Sequence, residues 1–220
     1  MIAVDLIQDD IPLLNLSDDI SKAVTFFDNY KLHQIPVLGE SKFFGLIDEE
    51  VVLNARPKSK IKDLKKHFRK EEVLFEKNLF EVLHFFRQGN LNVLPVVDKD
   101  NNYLGCIHER ILLQKVCEIL KVEIPGGIIH LQIRIIDYSL AQIAQIVEGN
   151  GARILSSLSI PNESNSKLME ILIKINQEDL SGIIQTFQRY EYKIIASFHK
   201  NIHKEGLNDR LESFIRYLNI

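Results

Sequence analysis

The fold is decided by a short apolar stretch that occurs twice, LHQIPV at residues 32–37 and LNVLPV at residues 91–96. Each copy is followed by a glycine and two apolar residues, GLI at 45–47 and GCI at 105–107. A repeat of about 60 residues is longer than most solenoid units and too short for two large domains. The sequence therefore predicts two copies of a small α/β unit that pack together.

A helix is predicted before each stretch and after each hairpin. The apolar residues before the stretches follow the i, i+3, i+4, i+7 pattern of one helix face. They are Ile20, Ala23, Val24 and Phe27 in the first copy, and Leu79, Val82, Leu83 and Phe86 in the second. Residues 17–19 and Asn78 offer side chains that can cap these helices. The stretch and the glycine segment predict a strand–turn–strand hairpin, and the next helix begins near Asp48 or Glu109.

The composition argues against a disulfide-linked, metal-binding or membrane-spanning protein. The 220 residues carry a net charge of −3 and two cysteines, which form no CxxC or Cys/His framework. We expect Cys106 to be a buried small apolar side chain. The N-terminus lacks the basic stretch and apolar run of a signal peptide, and no apolar run is long enough to span a membrane. We therefore expect a cytoplasmic protein without membrane contact.

One segment breaks the even charge distribution. Residues 58–70 contain seven Lys or Arg residues and one acid, Asp63. This run can mark a site for an anionic partner or a solvated connector between the repeats.

The pattern changes after residue 125. Strands and helices are predicted in the order βαββαβ between residues 126 and 200, which is typical of a ferredoxin-like domain. A terminal amphipathic helix is predicted at 203–220. Its apolar side is formed by Leu207, Leu211, Phe214, Ile215 and Leu218.

On these residues the first half resembles a pair of CBS domains, because the h-P-h and Gly-h-h segments recur at matched spacing. The βαββαβ part is similar to an ACT domain, with residues 151–154 (GARI) as the further likeness. The layout is similar to that of acetoin-utilisation AcuB-type proteins. The expected fold class is α+β, a tandem CBS-domain pair plus a ferredoxin-like, ACT-like domain. The expected domains are 1–58 (CBS repeat 1), 59–122 (CBS repeat 2), 126–200 (ACT-like) and 203–220 (helix).

The CBS resemblance implies a regulatory ligand such as AMP, ATP or S-adenosylmethionine, and a signal to an attached or separate protein. It also implies a homodimer. The candidate nucleotide-binding residues are His33, Ile35, Pro36, Asp48, Leu94, His108 and Arg110.

The chain departs from that family pattern at both clefts. The positions that usually carry Ser or Thr hold Asp48 and His108, and those that usually carry a ribose-binding Asp hold Val51 and Ile111. A side chain without polar atoms cannot accept a hydrogen bond from a ribose hydroxyl. His33, His108 and Arg110 can instead contribute hydrogen bonds or positive charge.

The ACT resemblance implies an amino-acid ligand at the first loop, where Asp137, Tyr138 and Ser139 are the candidate residues. Tyr138 stands where a glycine usually lets the ligand approach the backbone. We therefore expect this domain to act mainly through sheet or helix pairing.

No motif of nucleotide hydrolysis, serine hydrolysis or zinc-dependent proteolysis occurs, so we expect a non-enzymatic protein. His199 and His203 are spaced for one helix face, but no third metal ligand is evident and no metal is expected. Two hypotheses remain open. One is a sensor whose CBS pair binds an adenine nucleotide; the other is a ligand-free dimerisation or interaction scaffold. Nucleic-acid binding through residues 58–70 is a distant third.

Overall fold

The computed structural model describes residues 1–56 and 58–198. The chain divides into two compact units, Met1–Val116 and Cys117–Ile220. The first unit contains the two repeats, each with the same order of elements. In the first repeat these are β1 (Leu14–Asn15), α1 (Ile20–Tyr30), β2 (Gln34–Gly39), β3 (Lys42–Asp48) and α2 (Glu49–Leu53). In the second they are β4 (Val73–Leu74), α3 (Leu79–Gly89), β5 (Val93–Val97), β6 (Tyr103–His108) and α4 (Glu109–Ile119).

Each repeat forms a three-stranded sheet, in the orders β1-β2-β3 and β4-β5-β6. The predicted hairpins are confirmed as the antiparallel pairs β2–β3 and β5–β6, and the first strand runs parallel to the second. The helices predicted before each hairpin are α1 and α3. Their apolar faces and the sheets share one core, in which Cys106 is fully buried.

The two helix starts differ from each other. Asn78 caps α3 as predicted, because its side chain accepts the N–H groups of Phe80 and Glu81. No side chain caps the start of α1. The Asp18 carboxylate instead accepts the N–H of Asn15 at 2.8 Å and pairs with Lys22. The predicted cap at residues 17–19 is therefore wrong.

The segment that precedes each repeat forms its hydrogen bonds with the other repeat. A short 3-10 helix, Ala3–Leu6, precedes the first repeat, and another, Ile61–His67, precedes the second. We call residues 2–8 the first leader and residues 60–69 the second leader. The first leader bonds to the second repeat, where Gln8 N–H donates to Cys106 C=O at 2.9 Å. The second leader bonds to the first repeat, where Leu46 and Arg69 exchange two hydrogen bonds of 2.9 Å.

This exchange explains two features of the repeated motif. Pro36 lies opposite Leu46 in the hairpin, and both backbone polar groups of Leu46 bond to Arg69. The pair therefore needs no N–H from the proline, which has none to give. The motif glycines lie under the leaders: a Cβ at Gly45 would be 2.6 Å from Arg69 O, and one at Gly105 would be 2.2 Å from Ile7 Cγ2.

The second unit has the predicted βαββαβ order. Its elements are β7 (Gly127–Arg134), α5 (Leu140–Gly149), β8 (Ile154–Pro161), β9 (Leu168–Ile175), α6 (Ser181–Arg189) and β10 (Lys193–Phe198). All strand pairs in the sheet β10-β7-β9-β8 are antiparallel, as in a ferredoxin-like domain. Alternate residues of β7 and β9 share a core with both helices.

Some predictions fall outside the described residues. The terminal helix at 203–220 and the histidine pair His199 and His203 lie there. Within residues 1–56 and 58–198, no helix has the length and apolar character needed to cross a membrane.

Candidate functional site

Two equivalent strand–helix junctions carry most of the candidate residues. The first junction, residues 48–50, links β3 to α2 and has the sequence Asp-Glu-Glu. The second junction, residues 108–110, links β6 to α4 and has the sequence His-Glu-Arg. Each is fixed by the start of the neighbouring strand, because Glu49 N–H donates to His33 C=O and Glu109 N–H donates to Asn92 C=O. The third residue of the junction thus carries opposite charges in the two repeats, negative at Glu50 and positive at Arg110.

The first junction is occupied by an ion-pair network within the chain. The Arg69 guanidinium lies 3.5 Å from Asp48 Oδ1 and 2.7 Å from Glu71 Oε1, and it also donates to Gly89 C=O. The hydrogen bond to Glu71 raises the pKa of Arg69 above its ordinary value and lowers the pKa of Glu71. Since Asp48 is held by this arginine, its carboxylate is part of the network and does not stand free.

His33 lies at the rim of the first junction. Its side chain is 74% exposed, and Nδ1 is 3.8 Å from Glu49 Oε2. The first junction and its ion-pair network contain four carboxylates, from Asp48, Glu49, Glu50 and Glu71, against the single guanidinium of Arg69. An incoming phosphate would therefore meet predominantly negative charge.

Three candidate residues belong to the core. Ile35 and Leu94 are fully buried, and Pro36 is buried between β1 and β3. Their side chains contribute packing, and the structure does not bring them to an open surface beside His33 or Arg110. A ligand role for these three residues stays a prediction.

The second junction presents different chemistry. His108 Nδ1 accepts the N–H of Arg110 at 3.0 Å, so the imidazole proton lies on Nε2. Burial lowers the pKa of His108, although the nearby carboxylates of Glu109 and Asp10 act in the opposite direction. His108 is therefore a neutral hydrogen-bond donor at neutral pH. Arg110 is exposed, and within the described part of the chain its guanidinium makes no hydrogen bond or ion pair.

The residues at the usual ribose positions differ in their packing. Val51 packs against the core of the first unit, and Ile111 is half-buried at the start of α4. Neither offers a hydrogen-bond acceptor. A nucleotide at either junction would therefore have to be held mainly through its phosphate.

The predicted ACT loop has local structural roles. Ser139 caps α5 by accepting the N–H of Gln142, and Asp137 pairs with Arg134. Tyr138 is partly exposed and its N–H donates to Ile135 C=O.

Asp137 also lines a cavity of about 410 Å³ near the start of β10. Within it, Tyr192 donates to Gln142 at 2.8 Å and Lys193 donates to Gln132 at 2.7 Å. The polar groups of this cavity are largely bonded to each other. Among residues 1–56 and 58–198, no cluster of three His, Cys, Asp or Glu side chains could hold a metal ion.

Sequence reasoning missed three residues that organise these junctions. In the sequence Arg69 is one more charge of a basic run, because its pairing with Asp48 depends on the exchange of leaders. Gln34 and Asn92 are buried polar side chains inside apolar stretches. A polar residue in a stretch predicted to be buried was the available signal, because such a group needs a partner.

Comparison with known proteins supports the assignment of the repeats. Residues 61–118 match the family model of the CBS domain. The first repeat lies outside this match, and it has the same elements in the same order as the second. No curated protein matches the chain.

Several solved structures are similar over about half of the chain. A CBS domain pair/ACT domain protein from Thermotoga maritima is 20% identical over 54% of this chain and 98% of its own, with a TM-score of 0.49. The CBS domains of a transcriptional regulator from Streptococcus pneumoniae are 15% identical over 52% and 98%, with a TM-score of 0.46. A Vibrio cholerae protein described as an acetoin utilization protein (AcuB) is 15% identical over 56% and 95%, with a TM-score of 0.49.

Proposed function

We propose that this chain is a non-enzymatic regulatory protein that binds an adenine nucleotide at the second junction. CBS domain proteins are generally regulatory and often bind adenine nucleotides. The matched residues 61–118 include the whole second junction. The nucleotide acts as a signal that is passed to a partner protein in the cytoplasm.

One observation carries the choice of junction. Arg110 offers a guanidinium without a protein partner in the described residues, and His108 offers a neutral Nε2–H beside it. Hydrogen bonds from arginine to phosphate are among the strong ones in proteins. At the equivalent positions of the first repeat, Asp48 and Glu50 would repel the same phosphate.

The missing ribose carboxylate predicts a ligand preference. With Ile111 in its place, most of the recognition must come from phosphate. AMP and ATP should therefore bind, whereas adenosine and S-adenosylmethionine, which have no phosphate, should not.

A thermal-shift screen with these four compounds tests the proposal. A ligand at about 100 times its dissociation constant stabilises the folded protein by about 2.7 kcal/mol. We expect a clear shift with AMP or ATP that disappears in Arg110→Glu and persists in Glu50→Ala, the matched variant of the first repeat. No shift with any nucleotide, or an undiminished shift in Arg110→Glu, would refute it.

A ligand-free scaffold is the second candidate. The observation in its favour is that Leu53 and Leu113, equivalent residues of α2 and α4, are 62% and 64% exposed. Exposed leucines at matched positions suit a homodimer interface. The C-terminal unit, which we assign as ACT-like, would add sheet or helix pairing.

Light scattering of the purified protein tests the dimer. Under either candidate we expect a dimer that dissociates in the Leu53→Glu/Leu113→Glu variant. A dimer that shows no nucleotide-dependent thermal shift would favour the scaffold over the sensor. A wild-type protein that is monomeric would remove the dimer from both.

A further inference from the structure

The two leaders provide an internal comparison for the basic segment. Both dock in the same way, since Ala3 N–H donates to Lys77 C=O and Ile61 N–H donates to Asp18 C=O. In both, an aspartate closes the first turn: Asp5 accepts the N–H of Ile2, and Asp63 that of Lys60, each at 2.9 Å. The first leader achieves this docking without a single lysine.

The second leader differs by an insertion that is entirely basic. Leu6 is followed directly by Ile7, whereas Lys65, Lys66 and His67 stand between the equivalent residues Leu64 and Phe68. All three inserted side chains are exposed. The first leader makes the equivalent hydrogen bonds without these three residues, so the insertion is not required for docking.

The lysines around this insertion have no carboxylate partner. Lys60 pairs with Asp19 and Arg69 with Glu71. Within the described residues, the ammonium groups of Lys62, Lys65, Lys66 and Lys70 have no carboxylate at ion-pair distance. Lys65 Nζ lies 5.2 Å from the centroid of the Phe44 ring, and Lys70 donates to the Phe44 carbonyl. We call these four lysines the basic surface.

A cavity lined by both apolar and charged residues opens beside the basic surface. It measures about 350 Å³ and is lined by Leu16, Gly39, Glu40, Lys42 and Phe44. Phe44 and Leu16 are the large apolar side chains of its lining, and Lys62 N–H donates to Leu16 C=O. The second repeat has Leu104 in place of Phe44 and Asp98 in place of Gly39.

We propose that the basic surface docks an acidic peptide segment of a protein partner. Carboxylates of the segment contact the lysines, and one apolar side chain enters the cavity. Opposite charges across an interface steer association and select partners. The run of lysines extends beyond the cavity, which suits an extended partner more than a small ligand. This site is separate from the second junction.

Single-stranded nucleic acid is the less suitable polyanion. Proteins that bind it combine positive charge with aromatic faces on which bases stack. At this surface Lys65 covers the Phe44 ring, which is the aromatic side chain of the cavity. A base would have to displace that ammonium group before it could stack.

Fluorescence anisotropy with defined probes tests the proposal. The first probe is a labelled peptide of glutamate pairs separated by single leucines; the second replaces leucine by serine; the third is a labelled oligo-dT of similar charge. We expect the leucine peptide to bind best, and added salt to weaken it, because the Debye length falls to about 8 Å at 0.15 M.

Charge-reversal variants locate the binding. Lys62→Glu/Lys65→Glu/Lys66→Glu should weaken the leucine peptide at least about tenfold. Arg153→Glu/Lys167→Glu/Arg189→Glu, which reverses three exposed charges of the second unit, should not. A variant without residues 65–67, which matches the length of the first leader, repeats the test if the reversal unfolds the protein. Circular dichroism checks the fold of each. Failure of the wild type to bind the leucine peptide, equal binding by the basic-surface variants, or tighter binding of oligo-dT would overturn the proposal.

Discussion

Gln34 and Asn92 exchange two hydrogen bonds across the two repeats. The Gln34 side-chain oxygen accepts the N–H of Asn92 at 3.0 Å, and the Asn92 side-chain oxygen accepts the N–H of Gln34 at 3.3 Å. They are the only buried polar side chains among residues 1–56 and 58–198. Each therefore satisfies a backbone donor that would otherwise be buried without a partner, and the two repeats are joined at this point by directional bonds.

Removing either side chain should destabilise the first unit. Gln34→Ala or Asn92→Ala leaves a buried N–H unpaired, which costs about 1–3 kcal/mol. Urea unfolding of both single variants and the double variant measures the effect. The double variant should lose clearly less than the sum, since residues in one hydrogen-bond network couple. Asn29→Ala, at an exposed position of α1, is the control. Additive losses would show that the two bonds are independent.

The exchange of leaders makes the motif glycines sensitive to a methyl group. Gly105→Ala places Cβ against Ile7, and we expect a loss of about 1–3 kcal/mol from overpacking. The additional change Ile7→Ala should recover part of it. At Gly45 the obstacle is the Arg69 carbonyl, so trimming a side chain should give no recovery.

Gly149 is the matched control for this experiment. Nothing lies within 4 Å of a Cβ built there, and the residue ends α5. Gly149→Ala should be neutral or stabilise by about 0.4–1 kcal/mol. If Gly105→Ala lowers the urea concentration of unfolding no more than Gly149→Ala does, each relative to the wild type, the leader does not cover Gly105 in solution.

Arg69 should stabilise the first junction, because its guanidinium pairs with the carboxylates of Asp48 and Glu71. Arg69→Met leaves the Asp48 and Glu71 carboxylates without their cation and should cost about 1–3 kcal/mol. Lys66→Met, in the same segment but exposed and without a carboxylate partner, should change stability little. Equal effects of the two variants would contradict the network.

The pH dependence gives the same network a second signature. The pKa of Glu71 is lowered by its hydrogen bond to Arg69. A carboxylate with a lowered pKa in the folded state contributes its stability above pH 4.5, and loses it as the pH falls through the folded value. The difference in unfolding free energy between wild type and Arg69→Met should therefore shrink in acid. A difference that stays constant from pH 7 to about pH 3 would argue against it.

His108 predicts a pH effect in a different window. Burial lowers the pKa of His108 below its ordinary value of 6.5, so the unfolded chain takes up this proton more readily than the folded protein. The stability should be complete above pH 6.5 and fall as the pH drops below it. His108→Gln keeps an acceptor for the N–H of Arg110 and should remove this share of the decline. If thermal unfolding of both proteins depends on pH in the same way, His108 does not titrate as described.

The local structure of this chain was predictable because it depends on neighbours in sequence. The spacing of Ile20, Ala23, Val24 and Phe27 indicated α1, and the structure confirms it. Alternating residues such as Ile129, Leu131 and Ile133 indicated β7 in the same way.

The arrangement of the junctions was not predictable in this way. The contact of Ile7 with Gly105 and that of Arg69 with Asp48 join segments that are distant in sequence. The identity of an isoleucine or an arginine does not indicate which distant residue it contacts. The start of α1 failed for a similar reason. Ser17, Asp18 and Asp19 are all residue types that can cap a helix. In the structure Asp18 is instead bonded to Asn15 and Lys22.

The most direct test of the account is a calorimetric titration of ATP into the wild-type protein and the Arg110→Glu variant. We expect one bound nucleotide for each chain in the wild type and no measurable heat of binding in Arg110→Glu. Glu50→Ala should bind as the wild type does. Two nucleotides for each chain, or unchanged binding in Arg110→Glu, would contradict the claim that the second junction is the nucleotide site.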